Sequence, residues 1–234
     1  MKVTAVIVAA GKGERLPGAV PKQYRPIAGK QVLAHTLLKF EECPEIEAVV
    51  LVVAEEYMLY ATDAVVDRHG IRKVGRIVPG GDSRFASVHA GLKKVSRDTD
   101  VVVIHDGVRP LVSLSLISRG VRLCQSEGAV VATTPAYDAI KRVEDEYVLA
   151  SLDTARLYHV QTPQFFWYDV IMTAYNQAMQ AGLVYGDDSG VVEAAGYKVR
   201  IVAGEENNIK ITTSRDLDLF RFLLSSGEQD DVRA

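Results

Sequence analysis

Four runs of this chain are too continuously apolar to be strands with one wet face. They are Val3–Val8, Ala48–Ala54, Val101–Ile104 and Ala129–Thr134, all rich in β-branched residues, with a shorter fifth run at Arg76–Val78. A strand that does not alternate must be covered on both faces, as strands of parallel sheets are. Helical patterns separate the runs, at Gln31–Phe40, Glu55–His69, Ser83–Val95 and Ser113–Gln125. Strands alternating with helices predict an α/β fold: a Rossmann-like, mostly parallel sheet with helices on both faces. Ligands of such sheets sit beyond the carboxyl ends of the strands. Ala10–Lys22, Gly80–Ser87, His105–Pro110 and Pro135–Lys141 are therefore predicted to surround one crevice.

The alternation breaks at Tyr137–Gln164. Ala139–Val143 and Tyr147–Ala150 are short extended runs joined by the polar turn Glu144-Asp145-Glu146. A lone two-stranded hairpin is marginal in water, so this arm, taken as residues 137–160, must dock on something. A second copy of the chain is the economical partner. The pattern then resumes with a helix at Trp167–Ala181, a short helix at Val191–Ala195, a strand at Lys198–Val202 and a closing helix at Ser214–Ser225. With 234 residues and no repeat or linker, residues 1–234 read as one domain.

Composition narrows the partners. With 27 basic and 30 acidic residues the formal net charge is −3, which gives no support to nucleic-acid binding. Cys43 and Cys124 are the only cysteines and suggest a reduced compartment without a disulfide framework. No run approaches the ~20 apolar residues of a membrane span, and Met1-Lys2 leads directly into a strand. A cytoplasmic protein without a membrane partner is expected.

The stretch after the first strand carries the chemistry. Ala9-Ala10-Gly11-Lys12-Gly13 lets backbone N–H groups approach a bulky anion, and Arg15 and Lys22 follow within reach. A P-loop would need G-x-x-x-x-G-K-[ST], and no second glycine stands at the required distance. A dinucleotide fingerprint would need a final glycine where Leu16 stands. What remains, A-A-G-x-G-x-R followed by Pro21-Lys22-Gln23, points to a polyphosphate held by backbone amides and two cations. The alternative is an ordinary strand-to-helix turn with two surface cations.

Three further segments lie on the same side. Pro79–Ser87 joins a strand to a helix through Gly80 and Gly81. Asp82 there either caps the helix or accepts hydrogen bonds from a base, and Ser87 is placed to donate one. In His105-Asp106-Gly107-Val108-Arg109-Pro110, Asp106 ends a strand facing the crevice. It either ligates magnesium together with phosphate oxygens, pairs with Arg109, or does both. His105 reads as structural. In Asn207–Thr213, Lys210 lies on an extended segment from which it can enter the crevice, and Thr213 or Ser214 can cap the last helix with Asp216 in its first turn.

Taken together, AAGKGERL…PKQY, GGDSRFASVHAGL, HDGVRP, QTPQFF and NIKITT occur in one order from end to end of the chain. The set resembles the 2-C-methyl-D-erythritol 4-phosphate cytidylyltransferase family of isoprenoid biosynthesis, and shares most motifs with its relatives that act on ribitol 5-phosphate. The resemblance implies a CTP- and magnesium-dependent homodimer with an interlocking β-arm. It implies that the Ala9, Ala10, Gly11 and Gly13 backbone holds the triphosphate, that Gly81, Asp82 and Ser87 receive the cytidine, and that Gly107 lies against the nucleotide. Asp106 would hold the metal. Arg15, Lys22 and Lys210 would be the catalytic cations, Lys210 also meeting the acceptor with Arg109 and Thr162. Three acceptor-side positions depart from the family pattern: Ala139, Thr154 and Gly186. Thr154 stands where the family has an arginine, and Arg156 is the candidate replacement, reaching across the dimer.

The reaction implied is transfer of CMP from CTP to a polyol phosphate, with loss of pyrophosphate. The nucleophile is an ionised phosphate, so no general base is needed, and the chain has no nucleophile–His–Asp pattern. A nucleotide-binding regulatory domain is the reading of another class; such a domain would be expected to lose Arg15, Lys22 or Asp106, and all three are present.

Overall fold

The structure is a computed structural model that describes residues 1–11, 18 and 20–231. Its centre is a seven-stranded sheet in the order β11-β7-β10-β6-β1-β4-β5. The strands are β1 (Val3–Ala9), β4 (Ala48–Val53), β5 (Val74–Pro79), β6 (Val101–Asp106), β7 (Ala129–Pro135), β10 (Tyr158–Trp167) and β11 (Arg200–Ala203). β1 pairs in parallel with both β4 and β6. Only β10 runs against its neighbours.

Helices cover both faces, as the unbroken apolar strands require. Ile7 of β1 joins Leu33 and Leu37 of α1 (Val32–Glu42) and Leu116 and Val121 of α4 (Leu114–Glu127). Val6 and Val8, one residue out of phase, join Val88 and Leu92 of α3 (Arg84–Leu92). The same layer includes Tyr175 of α5 (Tyr168–Ala181) and Val192 of α6 (Asp188–Ala194). Burying each such aliphatic side chain contributes about 1.5–3 kcal/mol. A third, smaller cluster seats Leu217 and Phe220 of α7 (Ser214–Asp231) on Val108 and Ile211. It closes the segment around Lys210 over the carboxyl ends of the strands.

Several expectations change in detail. The stretch Glu55–His69 is helical but irregular. A 3-10 turn, Glu55–Tyr57, leads into α2 (Met58–Tyr60) and then a π-helix, Ala61–Asp67. The wide π turn brings Ala61, Val65 and Val66 to one buried face. A small antiparallel pair, β2 (Pro26–Ile27) and β3 (Lys30–Gln31), was not legible in the sequence. Asp82 does not cap α3. Ser83 does, accepting from the Ala86 N–H at 3.0 Å, and Asp82 is exposed. α6 starts at Asp188, earlier than Val191, because Asp187 caps it.

The largest difference is β10, which sits in mid-sheet. Its sequence, YHVQTPQFFW, has polar residues and a proline where a central strand should be apolar. Pro163 falls where the register against β7 jumps from Val160 to Gln164, so no ladder bond is lost to its missing N–H. Beyond the jump Phe165 and Phe166 bury on opposite faces. Trp167 is the last strand residue rather than the first of the helix.

The arm is β8 (Ile140–Glu144) paired with β9 (Tyr147–Leu152), a sheet of its own. Asp145 and Glu146 form the turn with φ of 46° and 68°, the left-handed pair that a tight hairpin uses. Tyr158, His159 and Val160 already pair with β7, so the protruding part ends before Tyr158. Tyr147 is 77% exposed and Val148 61%. No helix among the described residues is long and apolar enough to cross a membrane.

Candidate active site

Three strand ends are locked together by atoms too close to admit a side chain. A Cβ on Gly80 would stand 2.3 Å from the Ala10 Cβ, and one on Gly107 would stand 2.9 Å from the Ala9 Cβ. The Gly80–Ser87 and His105–Pro110 segments therefore both rest against the first loop. Ser87, fully buried, accepts from the Gly81 N–H at 3.1 Å and fixes the turn from within. Gln23 is buried beneath the loop and donates through Nε2 to Ala9 O at 2.9 Å and Gly11 O at 3.1 Å. That clamp seats the 3-10 turn Lys22–Tyr24, and so Lys22, on the loop. Tyr24 braces the turn from behind, stacked on Tyr57 at a centroid distance of 4.8 Å.

Asp106 is the electrostatic centre. Its Oδ1 lies 3.1 Å from Arg84 Nε, and its Oδ2 lies 2.8 Å from Lys210 Nζ and 3.6 Å from Arg109 Nε. Burial alone would push the Asp106 carboxyl up; Arg84, Lys210 and Arg109 outweigh it and hold the group far below the usual carboxylate range. Arg84 also forms a two-pronged pair with Asp188, at 3.0 and 2.7 Å. Asp188 is fully buried and accepts a further hydrogen bond from the Tyr175 hydroxyl at 2.6 Å.

A chain of hydrogen bonds runs behind this carboxylate. The Asp106 N–H donates to Thr162 Oγ1 at 3.0 Å, and Thr162 Oγ1 and His105 Nδ1 are 3.1 Å apart. His105 Nε2 meets Arg109 O at 3.1 Å. A ring nitrogen facing a carbonyl must donate, so Nδ1 accepts and Thr162 is the donor to it. The Thr162 hydroxyl has thus spent its proton inside the protein and can only accept from a substrate. Burial first of all pushes His105 down, to about 3, so the ring is neutral.

The segment carrying Lys210 is held just as firmly. Arg109 Nη1 donates to Asn208 O at 2.7 Å, and Asn208 Nδ2 donates to Thr162 O at 2.8 Å and to Gln161 Oε1 at 3.2 Å. Gln161 Nε2 returns a bond to Glu205 O at 2.8 Å. The capping of α7 fits the sequence reading: Asp216 Oδ2 accepts from the Thr212 and Thr213 N–H groups at 2.8 and 2.7 Å.

A cavity of about 250 Å³ opens in front of these groups, walled by Arg84, Asp106, Arg109, Thr162, Lys210 and, opposite, Gly186 and Asp187. Most sequence-derived candidates therefore converge. Ala9, Ala10, Gly11, Lys22, Gly81, Ser87 and Gly107 build or brace the segments at the carboxyl ends of β1, β5 and β6. Asp106, Arg109, Thr162 and Lys210 line the cavity. Gly107 is turned away from it, toward Ala9 and Leu33. Arg156 is exposed on the turn Thr154–Arg156 and is absent from the cavity wall of its own chain. Gly13 and Arg15 lie outside the described residues. Sequence reasoning gave no role to Arg84, Asp188, Gln23, Gln161 and Asn208. Arg84 stood in the quoted GGDSRF motif, but nothing in the sequence pairs it with a carboxylate 104 positions away.

The donor set also bears on a metal. Among the described residues no group of three or more His, Cys, Asp or Glu side chains comes together. One ionised carboxylate at the end of β6 fits a magnesium ion that arrives on a nucleotide, since Mg²⁺ takes one or two carboxylates plus phosphate oxygens.

A glycine-rich loop after β1 and a cation-ringed carboxylate ending β6 can hold a nucleoside triphosphate beside a second, anionic substrate. That arrangement defines an α/β nucleotidyltransferase. The family profile for 2-C-methyl-D-erythritol 4-phosphate cytidylyltransferase matches residues 3–226. The protein of that name from Pelotomaculum thermopropionicum is 45% identical over 217 residues, covering 92% of this chain and 91% of its own. The one from Alkaliphilus metalliredigens is 39% identical over 232 residues, covering 97% and 96%. The crystal structure of 4-diphosphocytidyl-2C-methyl-D-erythritol synthase from Anaerococcus prevotii superposes with a TM-score of 0.84 at 30% identity, over 96% of both chains. The chain belongs to the 2-C-methyl-D-erythritol 4-phosphate cytidylyltransferase family and is, with it, a CTP-dependent enzyme.

Proposed function

We propose that this chain transfers CMP from CTP to 2-C-methyl-D-erythritol 4-phosphate, giving 4-diphosphocytidyl-2-C-methyl-D-erythritol and pyrophosphate. The observation that carries the site assignment is Asp106, ionised and held by three cations where the nucleotide loop meets the Lys210 segment. An oxygen of the acceptor phosphate attacks the α-phosphorus of CTP. The bond from that phosphorus to the oxygen bridging the β-phosphate breaks, and pyrophosphate leaves with the electron pair. The acceptor phosphate is largely dianionic at neutral pH, its second pKa being about 6, so no side chain has to remove a proton.

Catalysis is then alignment and charge stabilisation. The Ala9–Gly11 backbone cradles the triphosphate, with Lys22 and Arg15 meeting charge on the phosphates. Gly81, Asp82 and Ser87 receive the cytidine. Lys210 and Arg109 hold the acceptor phosphate, Lys210 leaving Asp106 as it does so, and the Thr162 hydroxyl accepts from a hydroxyl group of the acceptor. Magnesium, held by Asp106 and the triphosphate, would supply further positive charge at the phosphates. The exposed apolar side chains of the arm, Tyr147 and Val148 among them, support a homodimer in which Arg156 reaches the partner's cavity. The two buried thiols, Cys43 and Cys124, fit the cytoplasm.

The test is pyrophosphate release from CTP with a panel of polyol phosphates. Release with 2-C-methyl-D-erythritol 4-phosphate well above that with ribitol 5-phosphate is expected. Preference for ribitol 5-phosphate would move the acceptor assignment, and release with none would favour a binding module.

A further inference from the structure

Arg84 occupies a position that the mechanism above does not use. It is the first residue of α3, its backbone fixed by the Ser83 cap. Nε reaches Asp106 Oδ1 at 3.1 Å, while Nη1 and Nη2 take both oxygens of Asp188 at 3.0 and 2.7 Å. One rigid plane therefore joins the end of β6 to the start of α6. Tyr175 locks the far side, donating to Asp188 at 2.6 Å and stacking on Phe85 at a centroid distance of 4.7 Å. α6 is tied to the sheet as well, because Gln164 donates to Asp187 at 2.9 Å and accepts from the Ser189 N–H at 2.7 Å.

We infer that Arg84 is a positioning residue: its bridge from Asp188 to Asp106 sets which carboxylate oxygen faces the cavity and fixes that oxygen relative to the wall at Gly186 and Asp187. With Oδ1 held by Arg84, Oδ2 is the oxygen presented to Lys210, Arg109 and the cavity. Lysine cannot replace this, since a single ammonium lacks the planar fork that serves two carboxylates at once. The competing account is that Arg84 only neutralises the buried charge of Asp188. The two accounts separate at the metal, because groups that orient a metal-facing carboxylate typically change metal affinity when altered.

This inference rests on the reading of Asp106 as a metal ligand, and the experiment separates the two. Mn²⁺ binding to the full-length protein with CTP and no acceptor is measured by electron paramagnetic resonance, for wild type, Arg84→Lys, Asp188→Asn, Tyr175→Phe and Asp106→Asn. Thermal midpoints are recorded alongside. Arg84→Lys and Asp188→Asn are expected to weaken Mn²⁺ by about tenfold. Asp188→Asn makes the site one charge more positive, so the charge-conserving Arg84→Lys and Tyr175→Phe must show the loss as well for it to count as positioning. If Asp106→Asn weakens Mn²⁺ while the others lower only the thermal midpoint, Arg84 is a structural counter-ion and the inference is overturned. If Asp106→Asn leaves Mn²⁺ binding unchanged, the metal reading fails and the inference goes with it. Should Arg84→Lys not fold, Asp188→Asn and the milder Tyr175→Phe carry the same test.

Discussion

The Thr162 hydroxyl donates to His105 Nδ1 across 3.1 Å, which leaves the imidazole of His105 one way to be protonated, on the nitrogen facing Arg109 O. A second proton would turn the Thr162 hydroxyl away from the ring and would place a buried charge beside Arg109. Burial is the leading cause that moves His105 from 6.5 to about 3. The folded chain therefore refuses a proton that the unfolded chain binds, and stability falls as pH drops from 6.5 toward 3. Between pH 6.5 and 5.5 this one group should cost about 1 kcal/mol. Urea unfolding at several pH values checks it: His105→Gln should be less stable at pH 7.5 but show a shallower loss on acidification. An unchanged slope would remove His105 as the cause.

Lys22 rides on a turn clamped to the nucleotide loop by Gln23. In the proposed reaction Lys22 meets charge developing on the phosphates, so it should matter most in the transition state. Lys22→Ala is expected to lower kcat by on the order of 10²–10³. Steady-state kinetics decides, because a change confined to KM would make Lys22 a ground-state binding residue.

Arg156 is predicted to act across the dimer. Arg156→Ala should raise the KM for the acceptor and leave CTP binding unchanged. Mixing Arg156→Ala chains with Lys22→Ala chains should restore activity, since one site of each hybrid would carry neither change. No recovery under conditions of demonstrated subunit exchange would place Arg156 outside the partner's site.

Gly120 of α4 tests the packing around β10. A Cβ there would stand 2.1 Å from the Phe165 ring. Gly120→Ala gains helix propensity but overpacks the core, at a cost of about 1–3 kcal/mol. Differential scanning calorimetry should show a lower midpoint, with KM for CTP unchanged at temperatures where the variant is folded. A raised midpoint would mean that Phe165 has room to move.

Much of this architecture is legible in sequence because its strands carry one message. β1, β4, β6 and β7 are apolar on both faces, and that property alone predicts a covered parallel sheet. β10 hides because its first half serves the site rather than the core. Gln161 and Thr162 are buried polar residues whose partners, Asn208 and His105, come from other segments. The same limit applies to Arg84. Local pattern shows a basic residue opening a helix, whereas its meaning comes from Asp106 and Asp188, brought to it only by tertiary structure. Glycines and cations at short spacing advertise themselves in a sequence. Positions that hold those groups in place do not.

β10 lies between β6 and β7 yet follows both in the chain. On the ribosome, a nascent chain that has not reached Trp167 can assemble β1, β4, β5 and β6, but β7 has no strand through which to join them. The Asp106 N–H then lacks its Thr162 acceptor, and the segment bearing Lys210 is still to be made. Folding of larger chains proceeds through partly formed states with exposed edges, and here the exposed edge is β6, the strand that ends in Asp106. Binding competence therefore arrives late in synthesis, with the final third of the polypeptide, and a chaperone that shields this nascent chain has the β6 edge to cover.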